Sequence, residues 1–449
     1  MKILFVSQTA SIHGGVERWL STLCLGLSEI GVEISLALVD GPQFHRADVY
    51  MRFFPELAAF NPIFVSTRSG MPASRVRALR KIILDVKPDV VVPVLVQEVL
   101  EAVTLARRQG FRGKLVYPVH ENEVWAFNAV AESGDAIDAV VSVNRLMLDA
   151  VENFAAWQAE RAFHIRGGVA LAPPPNLSNI GRTSIVIGYC GKLDQPLKRA
   201  LDLVGFCQQM DARLPAYTLL IAGTGGEEPA LRERLAAQIA DGRVRLLGSL
   251  PQNALSRDFY QKLDVLLITS TLETGPLVAW EAMMHGVAIL TSNYQGQRRE
   301  GVLRHRETAL VYPISQMAAA VEALQNTVNK PGALQLIGSR GRVLAESEFS
   351  IEAMIQRWHA AISQVMVMKM RSQEGRLASK PKRRNFAAAA EDGLRSLLNR
   401  PVRHGNSHQE WPRYRPGGVS VTEREGFSNR LDELERSLGP VGRGEAKSE

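Results

Sequence analysis

Residues 265–286 read VLLITSTLETGPLVAWEAMMHG, and this stretch decides the fold. Val265 to Thr269 are apolar or β-branched at every position, as in a strand whose sheet is covered on both faces. A polar loop bearing Glu273 follows. Pro276 fits the first position of a helix, Leu277, Val278, Trp280, Met283 and Met284 supply its apolar residues, and Gly286 suits its C-cap. Strand, loop and helix in this order are the repeating unit of a doubly wound α/β sheet. Within the unit, the N–H groups of Gly275, Leu277 and Val278 are left free at the helix start and suit a phosphate. Glu281 interrupts the apolar run. A carboxylate buried there needs a partner, either ligand hydroxyls or a basic side chain, unless it lies on the surface or caps the helix.

The same unit recurs in both directions. Strand candidates in the first half are Lys2–Ser7, Glu33–Val39, Pro88–Val94, Lys114–Val119, Ala139–Asn144 and Ala162–Ile165. In the second half they are Ile185–Cys190, Thr218–Ala222, Val244–Leu247, Val265–Thr269, Ala288–Thr291 and Ala309–Tyr312. Helical spacing separates them, so the pattern predicts two doubly wound Rossmann-like domains. The prolines Pro173, Pro174 and Pro175 favour a stiff connector, which places the domains at 1–172 and 183–350. Ile351, Met354, Ile355, Trp358, Ile362 and Met366 recur at helical spacing and predict a long amphipathic helix. From Arg371 to Glu449 the composition shifts to basic residues, Gly and Pro, which predicts a mostly disordered tail. Ala387–Leu398 and Ser428–Leu438 are its two helical patches.

Composition narrows the class. Of 449 residues, 46% are apolar and 22% charged, as in a soluble globular protein. The net charge of +7 sits mainly in the tail, where 16 basic and 11 acidic residues leave 37 and 35 for the first 370. The charge therefore gives no reason to expect nucleic acid. Three scattered cysteines, Cys24, Cys190 and Cys207, show no metal-ligand spacing, so no structural zinc is expected. No apolar run is long enough to span a membrane, and a reduced cytoplasm is the expected compartment.

In an open parallel sheet, ligands bind beyond the carboxyl ends of the strands. Gly14-Gly15 after the first strand either lets a ligand approach the backbone or merely makes a tight turn. His120, ending the fourth strand candidate, is not part of a zinc motif, because Val124 stands where a second His would be needed. It is either structural or turned to a ligand. Lys192 and Lys198 follow the seventh strand candidate, with Pro196 suggesting a helix start that puts Lys198 in its first turn. A helix dipole disfavours a cation there, so the two lysines suggest an anionic ligand such as a diphosphate, unless they are solvated. The glycine-rich 223–226 and the loop Gly296 to Glu300 lie on the same rim.

Taken in order, these residues resemble the family-4 retaining glycosyltransferases of the two-domain GT-B architecture, over roughly Met1 to Met370. The resemblance implies two Rossmann-like domains facing a cleft, with the final helix, about 351–370, crossing back to the first. It implies that Lys192 and Lys198 contact the diphosphate of a nucleotide-sugar, Glu273 lies near the sugar and Glu281 bonds the ribose hydroxyls. Gly275, Leu277 and Val278 then complete the donor site, and Glu273, His120 and Lys198 are the catalytic candidates. Gly14 and Gly15 form the acceptor-side loop. No metal is implied, since cations and helix N-termini neutralise the leaving group. The acceptor is implied to be a glycan or lipid-linked intermediate of cell-surface polysaccharide, lipopolysaccharide or exopolysaccharide synthesis. A cytoplasmic enzyme touching an anionic inner membrane surface through its basic tail fits that role. Lys192 stands where the family commonly has Arg, Arg199 where it has Gly, and Gly275-Pro276 where it has Phe-Gly. A catalytically silent relative that binds nucleotide-sugars is the alternative. A Rossmann oxidoreductase is disfavoured by the lack of a Gly-x-Gly-x-x-Gly loop with its acidic partner.

Overall fold

The computed structural model describes residues 1–9, 15–41, 46–66, 71–173, 184–251, 254–371, 394 and 419–440. The chain divides into two compact units, Met1–Ile165 with Met354–Ser428, and Arg166–Ala353 with Asn429–Glu449.

Among the described residues, the first unit holds seven strands: β1 (Lys2–Ser7), β2 (Glu33–Asp40), β3 (Ile63–Ser66), β4 (Val90–Val94), β5 (Lys114–Val119), β6 (Ala139–Ser142) and β7 (Ala162–His164). Their order is β3-β2-β1-β4-β5-β6-β7. The second holds β8 (Ile185–Cys190), β9 (Tyr217–Ala222), β10 (Val244–Gly248), β11 (Val265–Ile268), β12 (Ala288–Ser292) and β13 (Leu310–Tyr312), in the order β10-β9-β8-β11-β12-β13. Every pairing among them is parallel. Both units are therefore doubly wound α/β sheets, each reversing direction once, between β1 and β4 and between β8 and β11. Sequence patterning missed only β3. It is a four-residue edge strand with Phe64 exposed, so one flank is uncovered and the apolar run is short.

The second sheet shows why continuous apolar runs are required. Val265 and Leu267 of β11 join the core on one face, with Leu219, Ile221 and Leu290. Leu266 and Ile268 join the other, with Ile289, Trp280 and Phe349. Successive side chains point to opposite faces, and both faces are dry.

A recurrent aspartate sets the register. Asp89 precedes β4, donates its N–H to the Lys2 carbonyl at 2.9 Å and accepts the Lys2 N–H on its carboxylate at 2.7 Å. Asp138, before β6, does the same to Leu115, with both distances 2.8 Å. Asp264, before β11, does so to Val186, again at 2.8 Å both ways. A one-residue slip would turn each strand's side chains to the wrong face, and these clamps hold the first rung, including β8 against β11 at the reversal.

The predicted amphipathic helix is Ile351–Val367. Met354, Ile355, Trp358, Ile362 and Val365 are buried, whereas Met366 is exposed on its outer side. Trp358 reaches 5.5 Å from Trp19. In the tail, Ala387–Leu398 lies outside the described residues apart from Leu394, as do Pro174, Pro175 and Gly14. The second patch is a longer helix than predicted, Val421–Leu438, with Phe427, Leu431 and Leu434 buried. It starts early because Ser420 and Glu423 form a capping box. Ser420 Oγ accepts the Glu423 N–H at 3.1 Å, and Glu423 accepts the Ser420 N–H at 2.7 Å. Among the described residues, no helix is long and apolar enough to cross a membrane.

Replacing Asp264 with Ala leaves the partly buried Val186 strand amide unsatisfied. We expect a loss of about 1–3 kcal/mol, seen as a lower midpoint in chemical denaturation followed by tryptophan fluorescence.

Candidate functional site

At the reversal point of the second unit, the loops after β8 and β11 lie side by side. Leu193 N–H donates to Thr224 at 2.9 Å, and Glu227 N–H donates to Leu193 at 3.0 Å. The loops after β8 and β9 thus run backbone against backbone. A Cβ on Gly223 would come within 1.8 Å of the Gly191 carbonyl, and one on Gly225 within 2.2 Å of the Leu193 carbonyl. The glycine-rich 223–226 is therefore a buttress for the Lys192 loop. Lys192 itself is exposed, and its carbonyl accepts from the Tyr189 hydroxyl at 3.1 Å.

Lys198 is not in the first turn of a helix. The helix after β8 begins only at Asp202, and 194–199 is a loop tied across to the segment after β11. Thr271 N–H donates to Leu197 at 2.9 Å, and Thr269 Oγ donates to the Lys198 carbonyl at 2.7 Å. Asp202 takes the first turn instead, where a carboxylate suits the dipole, and pairs with Arg199 at 2.7 Å. The dipole conflict inferred from sequence does not arise.

This tie delivers Lys198 to Glu273. Lys198 Nζ lies 2.6 Å from Glu273 Oε1, which also accepts from Ser270 Oγ at 2.5 Å. Glu273 is 8% exposed, so these partners replace hydrogen bonds to water that the carboxylate has lost. Ser270 is held in turn, its carbonyl accepting from Ser292 Oγ at 2.5 Å. Pro276 caps rather than opens the next helix, Leu277–Met284. The amides of Leu277 and Val278, its first two residues, have no acceptor inside the helix.

Glu281 is 6% exposed on that helix. One of its partners has a chemistry that the sequence reading did not name. The Tyr260 hydroxyl, itself buried, donates to Glu281 Oε2 at 2.7 Å. Burial, and then the neighbouring carboxylate, push the Tyr260 phenol well above its ordinary pKa, so it remains a donor.

The loop after β12 completes the rim. Leu272 forms a parallel bridge with Gln295, and Gln295 N–H donates to Thr271 at 3.1 Å. The N–H groups of Gly296, Arg298 and Arg299 donate to the Glu435 carboxylate at 3.0, 3.1 and 3.3 Å. Asp432 accepts from Gln295 at 2.7 Å. Part of the supposed tail thus sits on a candidate loop, which its charge composition did not reveal.

In the first unit, Gly15 opens the helix Gly15–Glu29. Glu17 on it accepts from the buried Gln8 side chain at 2.8 Å. His120 is 6% exposed with its ring 4.4 Å from Trp19, edge to face. Its Nε2 is buried with no hydrogen-bond partner among the described residues, as are both amide atoms of Asn122. Buried polar atoms of this kind call for a ligand or water. Asn122 is therefore a site candidate that sequence reading passed over, although it lies two residues beyond His120. Burial pushes the His120 pKa down from 6.5 to about 4.

With this geometry in hand, similarity to known proteins is informative. Residues 184–329 match the family described as "Glycosyl transferases group 1". A Haemophilus influenzae protein described as an uncharacterized glycosyltransferase is 20% identical over 364 residues, 80% of this chain and 98% of its own. The phosphatidyl-myo-inositol mannosyltransferase of Mycolicibacterium smegmatis is 30% identical over 176 residues, 37% of this chain and 44% of its own. The crystal structure of Anabaena HepE in complex with UDP superposes with a TM-score of 0.66 at 18% identity, covering 81% of this chain and 100% of that one. The fold is thus that of GT-B proteins, and the matched segment contains Lys192, Lys198, Glu273 and Glu281.

A histidine with a folded pKa below its unfolded one leaves stability intact above pH 6.5 and erodes it as pH falls towards 4. Relative to His120→Gln, we expect the wild type to lose up to about 3 kcal/mol across that window. Denaturant melts of both proteins at stepped pH check this.

Proposed function

We propose that the protein is a retaining glycosyltransferase that moves a sugar from a nucleotide diphosphate donor to a glycan or lipid-linked acceptor. The carrying observation is the Lys198–Glu273 pair at 2.6 Å, set at the reversal of a doubly wound sheet with a helix N-terminus just beyond. In this reading, Lys192, Lys198 and the amides of Gly275, Leu277 and Val278 hold the diphosphate. Charge accumulates on that group as the glycosidic bond breaks, and fixed cations and N–H dipoles act most strongly there. Lys198 and Glu273 neutralise one another before the donor arrives. Once the diphosphate engages Lys198, the Glu273 carboxylate is released to the sugar hydroxyls. Glu281 takes the ribose hydroxyls. Gly14, Gly15 and His120 serve the acceptor side, and a His120 neutral at physiological pH hydrogen-bonds a hydroxyl without adding charge.

Two relatives support the substrate class. HepE was solved with UDP, so UDP-sugars head the donor panel. The mannosyltransferase is named for a phospholipid acceptor, which favours a lipid-linked one here.

Purified protein is expected to release nucleoside diphosphate from one donor of such a panel, with EDTA leaving the rate unchanged. NMR of the product is expected to show the donor's anomeric configuration. Lys198→Met should lower kcat by roughly 10²–10³-fold, and Glu273→Gln should remove most turnover. Full activity in Glu273→Gln would refute its role, and diphosphate binding without turnover on any acceptor would favour a silent relative.

The basic run 380–384 (KPKRR) is proposed to hold the enzyme at an anionic membrane face. At about 1 kcal/mol per basic residue, replacing its four charges with Ser should weaken co-sedimentation with phosphatidylserine vesicles by roughly a hundredfold or more.

A further inference from the structure

Tyr260 belongs to no motif quoted from the sequence, yet it lies at the centre of the second unit's polar network. It follows a π-helical turn, Leu255–Phe259, a form that inserts an extra residue and often marks functional positions. Its ring is 1% exposed. Its hydroxyl donates to Glu281 Oε2 at 2.7 Å and interacts with the Cys190 thiol. Cys190 is the last residue of β8, immediately before Gly191-Lys192. One phenol thus touches both the carboxylate assigned to the ribose and the strand end that launches the loop assigned to the diphosphate.

The same segment is tied to the Glu281 helix a second time. The His285 ring stacks on Tyr260 with centroids 5.2 Å apart and planes at 27°. His285 Nδ1 lies 2.7 Å from the Glu281 carbonyl. A carbonyl only accepts, so Nδ1 carries the proton, and Nε2 is left to accept from Ser256 Oγ at 2.8 Å. Burial holds the His285 pKa below its ordinary value, in keeping with that neutral tautomer. Segment 256–260 and helix 277–284 are therefore pinned at a carboxylate and at a backbone carbonyl of the same residue, Glu281.

We propose that Tyr260 is a positioning residue for nucleotide binding: its hydroxyl fixes the plane of the Glu281 carboxylate and couples it to the Cys190 end of β8. Tyr260 itself does not touch the donor. The inference rests on the assignment of Glu281 to the ribose, and the test separates the two.

UDP and GDP binding to the full-length protein is measured by calorimetry for wild type, Tyr260→Phe, Glu281→Gln and the double variant. Tyr260→Phe keeps the ring and its packing and removes one oxygen. Loss of a hydrogen bond to a charged group is expected to weaken nucleotide binding about tenfold or more, with donor KM raised far more than kcat is lowered. Acting through Glu281, the double variant should bind no more weakly than Glu281→Gln alone. Wild-type affinity in Tyr260→Phe, with Glu281→Gln impaired, overturns the positioning role and leaves the donor-site reading standing. So do additive effects in the double variant. Wild-type affinity in Glu281→Gln overturns both. Should Tyr260→Phe fail to fold, site-specific 3-fluorotyrosine alters the acidity of the same hydroxyl at nearly unchanged shape. A shift in nucleotide affinity supports the proposal, and none refutes it.

Discussion

The contact around which the second unit's strand-end loops are arranged is the ion pair between Lys198 and Glu273. A carboxylate with 8% of its surface exposed needs nearby groups to replace the water it has lost. Lys198 and Ser270 do this on a single oxygen. Ser270 reaches Glu273 within the loop after β11, whereas Lys198 comes from the loop after β8. Lys198 arrives because Thr269 and Thr271 hold the 194–199 loop by its carbonyls, and Ser270 because Ser292 holds the Ser270 carbonyl from β12. Three strands, β8, β11 and β12, thus combine to place one ammonium and one carboxylate.

Behind that contact stands strand register. Asp264 clamps β11 to the first rung of β8, and Asp89 and Asp138 do the equivalent in the first unit. In a parallel sheet the loops that matter all leave from one edge, so a fixed first rung also fixes which loop residues emerge together at the far end. Gly223 and Gly225 work at that far end, where a single methyl group would push the Lys192 loop away from its support.

Much of this is legible in the amino-acid order, for physical reasons that differ from element to element. Strands covered on both faces announce themselves as unbroken apolar runs, and all twelve so identified are present. β3 escaped because an edge strand of four residues carries no such run. The tail helix was underestimated at its start, although Ser420 and Glu423 stand at capping-box spacing. Pro196 misled, because its fixed φ suits a helix start but also suits the bent loop it occupies. Glu281 was rightly read as needing a partner. That the partner includes Tyr260, twenty-one residues earlier and ahead of β11, follows from no local pattern. Asn122 lies beside His120 in the chain, and only its burial without a partner marks it.

The sequence by itself determined the two doubly wound sheets, the strand ends from which the candidate loops leave and the identity of the charged residues those loops carry. It did so because apolar periodicity, strand ends and helix caps are local properties, each decided within a few residues. Which charge meets which was decided only by the tertiary structure. Lys198 with Glu273, Tyr260 with Glu281 and Glu435 with the Gly296 loop are separated by 75, 21 and 139 residues. Their meeting depends on how strands far apart in the chain become neighbours, and on hydrogen-bonded backbone that no side-chain pattern encodes.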